Sequence, residues 1–244
     1  MSYNVRYGTA ADGENSWPNR KAALLALVRR HDPDVLGVQE ALADQVTSLR
    51  QLLPEHEVVG VGRDDGIEGG EFSCLFIRRN RFGVREGGTR WISDNPELPG
   101  SKAKGANLPR VFSWAILTTQ QSQSVLVMNA HWDHQSAEAR LLGATQMREF
   151  AKKRGLPTIM MGDFNCEWTS DPLKTMQGYS FARPSNGPYV TYNAFEADAD
   201  QGDMIDHILY DDHWKLQSVL IDRTTNNGRV PSDHFPLIAN LTLD

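Results

Sequence analysis

Thr158-Ile159-Met160-Met161-Gly162-Asp163-Phe164-Asn165 decides the reading of this chain, because an apolar run that suits a buried strand ends in a glycine, a carboxylate and an amide. Pro157 leads into that strand, and Asp163 and Asn165, two residues apart at its end, can leave from one face. A carboxylate so placed can orient or deprotonate a water. A neutral amide can hold the same water, or an oxygen of an anion, without adding negative charge. Glycine, aspartate and asparagine are also ordinary turn formers, so Gly162 to Asn165 taken alone reads equally well as a turn.

Outward from this stretch, strand-like runs fall at Ser2 to Arg6, Val35 to Glu40, Glu57 to Val61, Phe72 to Arg78, Val111 to Thr118, Val125 to Trp132, Asp206 to Tyr210, Val219 to Asp222 and Phe235 to Leu243. Three helices interrupt them. Ser16 caps the first, in which Leu24, Leu27 and Val28 share a face; Val46, Leu49 and Leu53 mark the second. Ser136 begins the third, with Leu141, Met147 and Phe150 among its apolar positions and Gly155 as its stop. Strands outnumber helices and no repeat or linker divides the chain, which predicts a β-sheet core with flanking helices. Gly60 to Glu71 and Ser93 to Arg110 are too polar and glycine-rich to pack as elements. They read as surface loops, or as a substrate rim whose Lys102, Lys104 and Arg110 supply positive charge.

Length and composition bound the answer. With 244 residues, 40% of them hydrophobic, the chain can bury one sizeable core, and a single domain over residues 1–244 is expected. A net charge of −6 provides no global positive field to gather nucleic acid. Cys74 and Cys166 are too few for a disulfide framework and form no Cys-x-x-Cys pair, so reduced thiols are expected. No apolar run is long enough to span a bilayer. Met1-Ser2-Tyr3-Asn4 lacks the regions of a signal peptide, so the chain as given reads as soluble and cytoplasmic, with secretion open if a leader precedes it.

Other polar residues sit at strand ends. Glu40 closes the apolar run Val35 to Gln39, where an unpaired carboxylate is costly, and a hard cation would offset that cost. Mg²⁺ suits oxygen ligands and keeps several waters, which fits Glu40 with help from Asn4 or Asp233. Alternatively, Glu40 is an exposed charge at the start of a helix. His234 can exchange a proton near neutrality or, when charged, hold a phosphate, and Asp206 is the candidate to fix its tautomer. His207 points to the other face of its strand and reads as structural. His131-Trp132-Asp133-His134 resembles part of a zinc hydrolase signature, but Asn129 stands where a further histidine is needed and neither cysteine can substitute. His131 therefore reads as a second phosphate-binding or proton-donating imidazole, or as a satisfied strand-end histidine.

Tyr3-Asn4, Gln39-Glu40, Asn129-Ala130-His131, Gly162-Asp163-Phe164-Asn165, Ile205-Asp206-His207 and Ser232-Asp233-His234 occur in an order that resembles the endonuclease/exonuclease/phosphatase superfamily over nearly the whole chain. Tyr3 through Asp12-Gly13-Glu14-Asn15-Ser16-Trp17 to Arg20, with Gln39-Glu40-Ala41-Leu42, also looks like bacterial and fungal members related to carbon-catabolite-repressor-type deadenylases. The resemblance implies a four-layer α/β/β/α sandwich, two packed and mainly antiparallel sheets flanked by helices, with the site at one edge. It implies Glu40 as the principal Mg²⁺ ligand with Asn4 beside it and Asp233 next to the metal, Mn²⁺ being able to replace Mg²⁺. Asp163 and Asn165 would position the attacking water. His234, oriented by Asp206, would be the phosphate-contacting imidazole or general base. His131 would contact a non-bridging oxygen, and Arg110 resembles a phosphate-binding arginine. Asp133 and His134 match the subgroup without a step assigned to them.

The expected reaction is in-line attack of water on phosphorus. The first expectation for substrate is a phosphodiester in RNA, a nucleotide or short single-stranded nucleic acid, because the acidic balance disfavours a long duplex. The alternative is a small-molecule phosphatase acting on sugar or lipid-headgroup phosphates. A non-catalytic binding protein on the same scaffold ranks last. Trp91, Trp132 and Trp168 could stack on bases or sugars but more commonly such residues pack. A monomer is expected.

Overall fold

The structure is a computed structural model that describes residues 1–244. In chain order its elements are β1 (Ser2–Asn4), α1 (Trp17–His31), β2 (Val35–Ala41), α2 (Ala43–Leu52), β3 (His56–Val59), β4 (Phe72–Arg78), β5 (Phe82–Trp91), β6 (Val111–Thr119), β7 (Ser124–His131), α3 (Ala137–Arg154), β8 (Thr158–Asp163), α4 (Asp171–Lys174), β9 (Ser180–Phe181), β10 (Asp206–Tyr210), β11 (Trp214–Ile221) and β12 (Leu237–Leu243). They form two six-stranded sheets, ordered β11-β12-β1-β2-β4-β3 and β5-β6-β7-β8-β10-β9. Each is mixed, with one parallel pair, β1 with β2 in the first and β7 with β8 in the second. No helix is long and apolar enough to cross a membrane.

The layering follows from strands that are apolar on both faces. Along β4, Phe72, Cys74 and Phe76 join Leu24, Val28, Val46 and Leu49 of α1 and α2, while Leu75 and Ile77 face the second sheet. Along β7, Leu126 and Met128 pack beneath α3, while Val125 and Val127 face the first sheet. The result is helices, sheet, sheet, helices. Asn129 crosses the apolar middle: its Nδ2 donates to the carbonyls of Val38 and Cys74 at 2.9 Å each, and its Oδ1 accepts from Gln39 Nε2 at 2.6 Å. These bonds tie the strand carrying His131 to the strand carrying Glu40, because a buried amide must satisfy its polar groups somewhere.

Several local readings change in the structure. β1 stops at Asn4 because the backbone turns left-handed at Arg6, φ +54°. Ser16 occupies the cap position of α1, but its hydroxyl accepts from the Asn19 side chain instead of a helix N–H. Ser136 does cap α3, accepting from the Ala139 amide at 3.2 Å, and Gly155 ends it at φ +60°. Leu141 lies on the outer side of α3; Ala139, Gly143, Ala144 and Met147 face the sheet, and small residues there let the helix close onto Trp132. The two polar stretches, Gly60 to Glu71 and Ser93 to Arg110, contain no helix or extended strand. β5 was not expected. It is an edge strand whose Gly83, Gly87 and Gly88 interrupt any apolar alternation.

Candidate functional site

At one end of the sandwich three side chains from neighbouring strands of the second sheet line up. The register pairs His131 of β7 with Asp163 of β8, and Asp163 with Asp206 of β10. They share the parity of Val127, Met161 and Ile208, so all three point toward the first sheet. Gly162 is required here: with φ at +149°, a Cβ would lie 2.0 Å from the Ala130 carbonyl oxygen on β7. Beyond β8 the chain turns at Asn165, φ +51°, whose amide donates to Asp163 Oδ1 at 3.0 Å. The turn reading and the site reading of Gly162 to Asn165 are therefore one structure. Asn165 Nδ2 donates to the Trp132 carbonyl at 3.0 Å, which leaves Oδ1 without a protein donor.

The first sheet supplies the opposite wall. Leu36 and Val38 face the outer helices, so simple alternation would send Glu40 outward as well. A bulge between Val38 and Ala41 and a left-handed backbone at Glu40, φ +63°, turn it inward instead. A non-glycine residue held there costs on the order of 1 kcal/mol, and such strain concentrates where a side chain must be aimed. Asn4 Nδ2 donates to Glu40 Oε1 and to Asp163 Oδ2, both at 2.9 Å, and the Tyr7 amide donates to Glu40 Oε2 at 3.2 Å. Asn4 Oδ1 accepts from the Arg6 amide, so the side chain offers N–H groups to the carboxylates as it stands. Asp233, just before β12, lies 3.6 Å from Arg6 Nε.

His234 Nδ1 donates to Asp206 Oδ2 at 2.7 Å, and its Nε2 lies 3.8 Å from Asp163 Oδ2. Burial works against its charged form, but Asp206 and Asp163 outweigh it and hold the pKa well above the ordinary value. His131 is pushed the other way, down to about 3, by burial and by the Arg110 charge. Two similar residues are thus tuned apart, one toward the cation and one toward the neutral ring. Asp163 is raised by burial and by Asp206, and Asp233 by burial and by the nearby Glu40. Carboxylates held close together out of water at this cost suit a divalent cation, since their oxygens are the hard donors it prefers. Glu40, His131 and Asp163 can bring ligand atoms within 4.8 Å of one another, as can Asp163, Asp206 and His234.

These residues open into a cavity of about 610 Å³ lined by Arg6, Tyr7, Glu40, Glu71, Leu108, Arg110, His131, His134, Asp163, Asn165, Tyr192, Asp203, Ile205, Asp233 and His234. Of the residues singled out from the sequence, Asn4 lies beneath the cavity against Glu40 and Asp163, and Asp206 behind His234. His207 is buried on the opposite face, donating to the Cys166 carbonyl and stacked 6.0 Å from Phe164. Lys102 and Lys104 do not line the cavity. Trp91 and Trp132 are buried packing residues, and Trp168 lies under Arg183 away from the cavity. Arg6, Glu71, Tyr192 and Asp203 were not anticipated. Glu71 ends a loop already marked as irregular and accepts from Arg63 at 2.6 Å, whereas Tyr192 and Asp203 carry no sequence signal.

A model of the Endonuclease/Exonuclease/phosphatase family matches residues 1–234. No curated protein matches the chain. Among solved structures, a Bacteroides thetaiotaomicron endonuclease/exonuclease/phosphatase family protein is 31% identical, with a TM-score of 0.93 over 100% of this chain and 96% of the other. A mannosyl-6-phosphatase of the same species is 30% identical, with a TM-score of 0.89 over 99% of this chain and 98% of the other. The human Nocturnin catalytic domain, with bound sulfate, is 19% identical with a TM-score of 0.77 over 99% of this chain and 93% of that one, and shares the fold.

Proposed function

Because the chain belongs to the endonuclease/exonuclease/phosphatase family, we propose that it is a divalent-metal-dependent hydrolase of small phosphomonoesters, with sugar or other polyol phosphates as the best fit. The observation that carries the substrate class is the cavity lining. Five carboxylates face two guanidiniums and three imidazoles, and no lysine is among them. A polynucleotide is held best by a track of positive charge along its backbone, and a lining with more carboxylates than guanidiniums is poorly suited to that. Hydroxyl groups, in contrast, can donate to carboxylates such as Glu71 and Asp203 at the cavity wall. The volume of about 610 Å³ is in the range of small-molecule sites. The similar mannosyl-6-phosphatase supports the same class.

Glu40, with Asp163 and Asp233 beside it, would hold the cation, Mg²⁺ by its preference for oxygen donors and Mn²⁺ as a replacement. Bound there, the cation would neutralise charge on the phosphate and leaving oxygen. Asn4 spaces the Glu40 and Asp163 carboxylates by donating to both. Asp163 and Asn165 Oδ1 orient a water for in-line attack, and Asp163 lies within reach of both His131 and His234. His234, held by Asp206 and shifted toward its charged form, is suited to meet the phosphate as a cation. His131 meets it as a neutral donor. Both sheets contribute to this wall, which supports residues 1–244 working as one catalytic domain.

The test is a panel of hexose phosphates, other monoesters, a diester, labelled RNA and labelled DNA, each with Mg²⁺, Mn²⁺ or chelator. Inorganic phosphate released from monoesters, with metal only, is the expected result. Oligonucleotide cleavage without monoester hydrolysis would reject the substrate class.

A further inference from the structure

Arg110 stands at the end of a loop and immediately before β6, where its side chain is buried. Its two terminal nitrogens are both engaged by imidazoles: NH1 lies 3.1 Å from His131 Nδ1 and NH2 lies 2.7 Å from His134 Nδ1. A guanidinium has hydrogens to donate and no lone pair to accept with, so each Nδ1 must be the acceptor. A proton on either Nδ1 would set two N–H groups against each other; His131 is buried, where such a clash is not relieved by water, and at the exposed His134 the 2.7 Å contact itself favours the acceptor form. We propose that Arg110 is a positioning residue that fixes the tautomers of His131 and His134, so that both present Nε2–H to the oxygens of a bound phosphoryl substrate.

The surroundings hold the guanidinium in place for that task. Asp133 Oδ2 is 3.6 Å from Arg110 Nε and Glu71 Oε2 is 4.0 Å from NH1, so its charge is balanced without either carboxylate displacing an imidazole. Asp133 is itself fixed, since its Oδ1 accepts from the amides of Gln135 at 2.9 Å and Ser136 at 2.7 Å, and Arg140 donates to its carbonyl at 2.9 Å. The loop that carries His134 is thereby pinned to the start of α3. His131 Nε2 lies 3.5 Å from Asp163 Oδ2, and both His131 and His134 line the cavity. Asp133 and His134 thus acquire roles: one balances the charge of the fork, the other is a donor at the cavity wall. Arg110 acts on the substrate through the rings it orients, because each of its terminal nitrogens already faces an imidazole.

The assignment rests on the phosphoester hydrolase reading for what the two donors contact, but its central observable needs no substrate. Two-bond proton–nitrogen spectra of the ¹⁵N-labelled wild-type protein at neutral pH distinguish the two tautomers directly. The expected result is the Nε2–H form for both His131 and His134. Arg110→Lys replaces the planar two-nitrogen fork with a single nitrogen that does not reproduce both contacts, so at least one ring should populate the other tautomer, and kcat/KM should fall about a hundredfold. His134→Phe should raise KM about tenfold with a smaller change in kcat. A proton on Nδ1 of either ring in the wild type, or unchanged tautomers and turnover in Arg110→Lys, would overturn the proposal. Both rings in the Nε2–H form in a protein that hydrolyses no phosphoester would bear out the tautomer assignment and reject the hydrolase reading instead.

Discussion

The two ends of the sandwich are built from the same strands and could hardly differ more. At one end the space between the sheets is a mainly apolar cavity of about 370 Å³, bordered by Val35, Leu117, Val125, Ile159, Trp214 and Leu241, with His31, Asp34 and Arg81 also lining it. At the other end the same β2, β7 and β8 finish in Glu40, His131 and Asp163. The apolar end has bulges too, between Leu216 and Ser218 of β11 and between Val84 and Glu86 of β5, but both lie on edge strands. The polar end contains left-handed residues at Arg6, Glu40 and Asn165, a bulge in β2 and carboxylates shifted toward protonation. Left-handed residues, the β2 bulge and carboxylates raised by burial coincide at the end where side chains must converge, and the remaining length of each strand supplies the packing that tolerates them.

That difference can be broken deliberately. Asp163→Ala should lower kcat by about a thousandfold or more. It should leave the thermal midpoint in chelator unchanged or raised, because a buried carboxylate beside Asp206 is removed; circular dichroism and a melting scan alongside the assay check both halves. At the opposite end, Leu117→Ala should cost about 2–4 kcal/mol in a denaturant titration while turnover per folded molecule stays within twofold. Loss of activity in that variant without loss of stability would contradict the division of labour between the two ends.

The outer layer lies between these extremes. Asp222 meets His31 Nε2 at 2.5 Å and is paired with Arg30, both at the end of α1. Burial alone would raise its pKa, but bonds from Thr224 and His31 and the Arg30 charge outweigh it and bring the value to about 2, below the ordinary 3.8. A carboxylate with a depressed folded pKa stabilises the fold above the unfolded value, and that contribution is lost as pH falls from 3.8 toward about 2. For this partly solvated cluster the contribution is about 1 kcal/mol. Asp222→Asn should lack this part of the acid limb in stability measured against pH. The smallest effect belongs to Lys102, Lys104 and Trp168, which lie off the cavity. Their alanine variants should change kcat/KM by less than about twofold.

Much of this contrast is legible in the sequence, and the rest is hidden for definite reasons. β4, buried on both faces, announces itself as a nearly continuous apolar run, and β10 as a short apolar run behind Asp206-His207, both with boundaries where expected. β5 does not, since an exposed edge strand with three glycines has no periodicity to read. β11 was legible only in its final residues for the same reason, because its outer positions alternate weakly at a sheet edge. Asp163, Glu40 and His234 stand out because each is a polar residue ending or preceding an apolar run. The inward turn of Glu40 was invisible, since it depends on a bulge set by pairing with β4. Glu71, Tyr192 and Asp203 reach the cavity from loops, where only tertiary packing decides which side chain faces in.

Glu40, re-aimed by that bulge, is the residue on which the proposed cation site at the polar end depends. Mn²⁺ binding followed by electron paramagnetic resonance on the purified protein and on Glu40→Gln tests that dependence most directly. Binding to the wild type and a loss of at least about tenfold in affinity in Glu40→Gln are expected, with the melting midpoint in chelator preserved. Equal Mn²⁺ affinity in the two proteins would contradict the dependence.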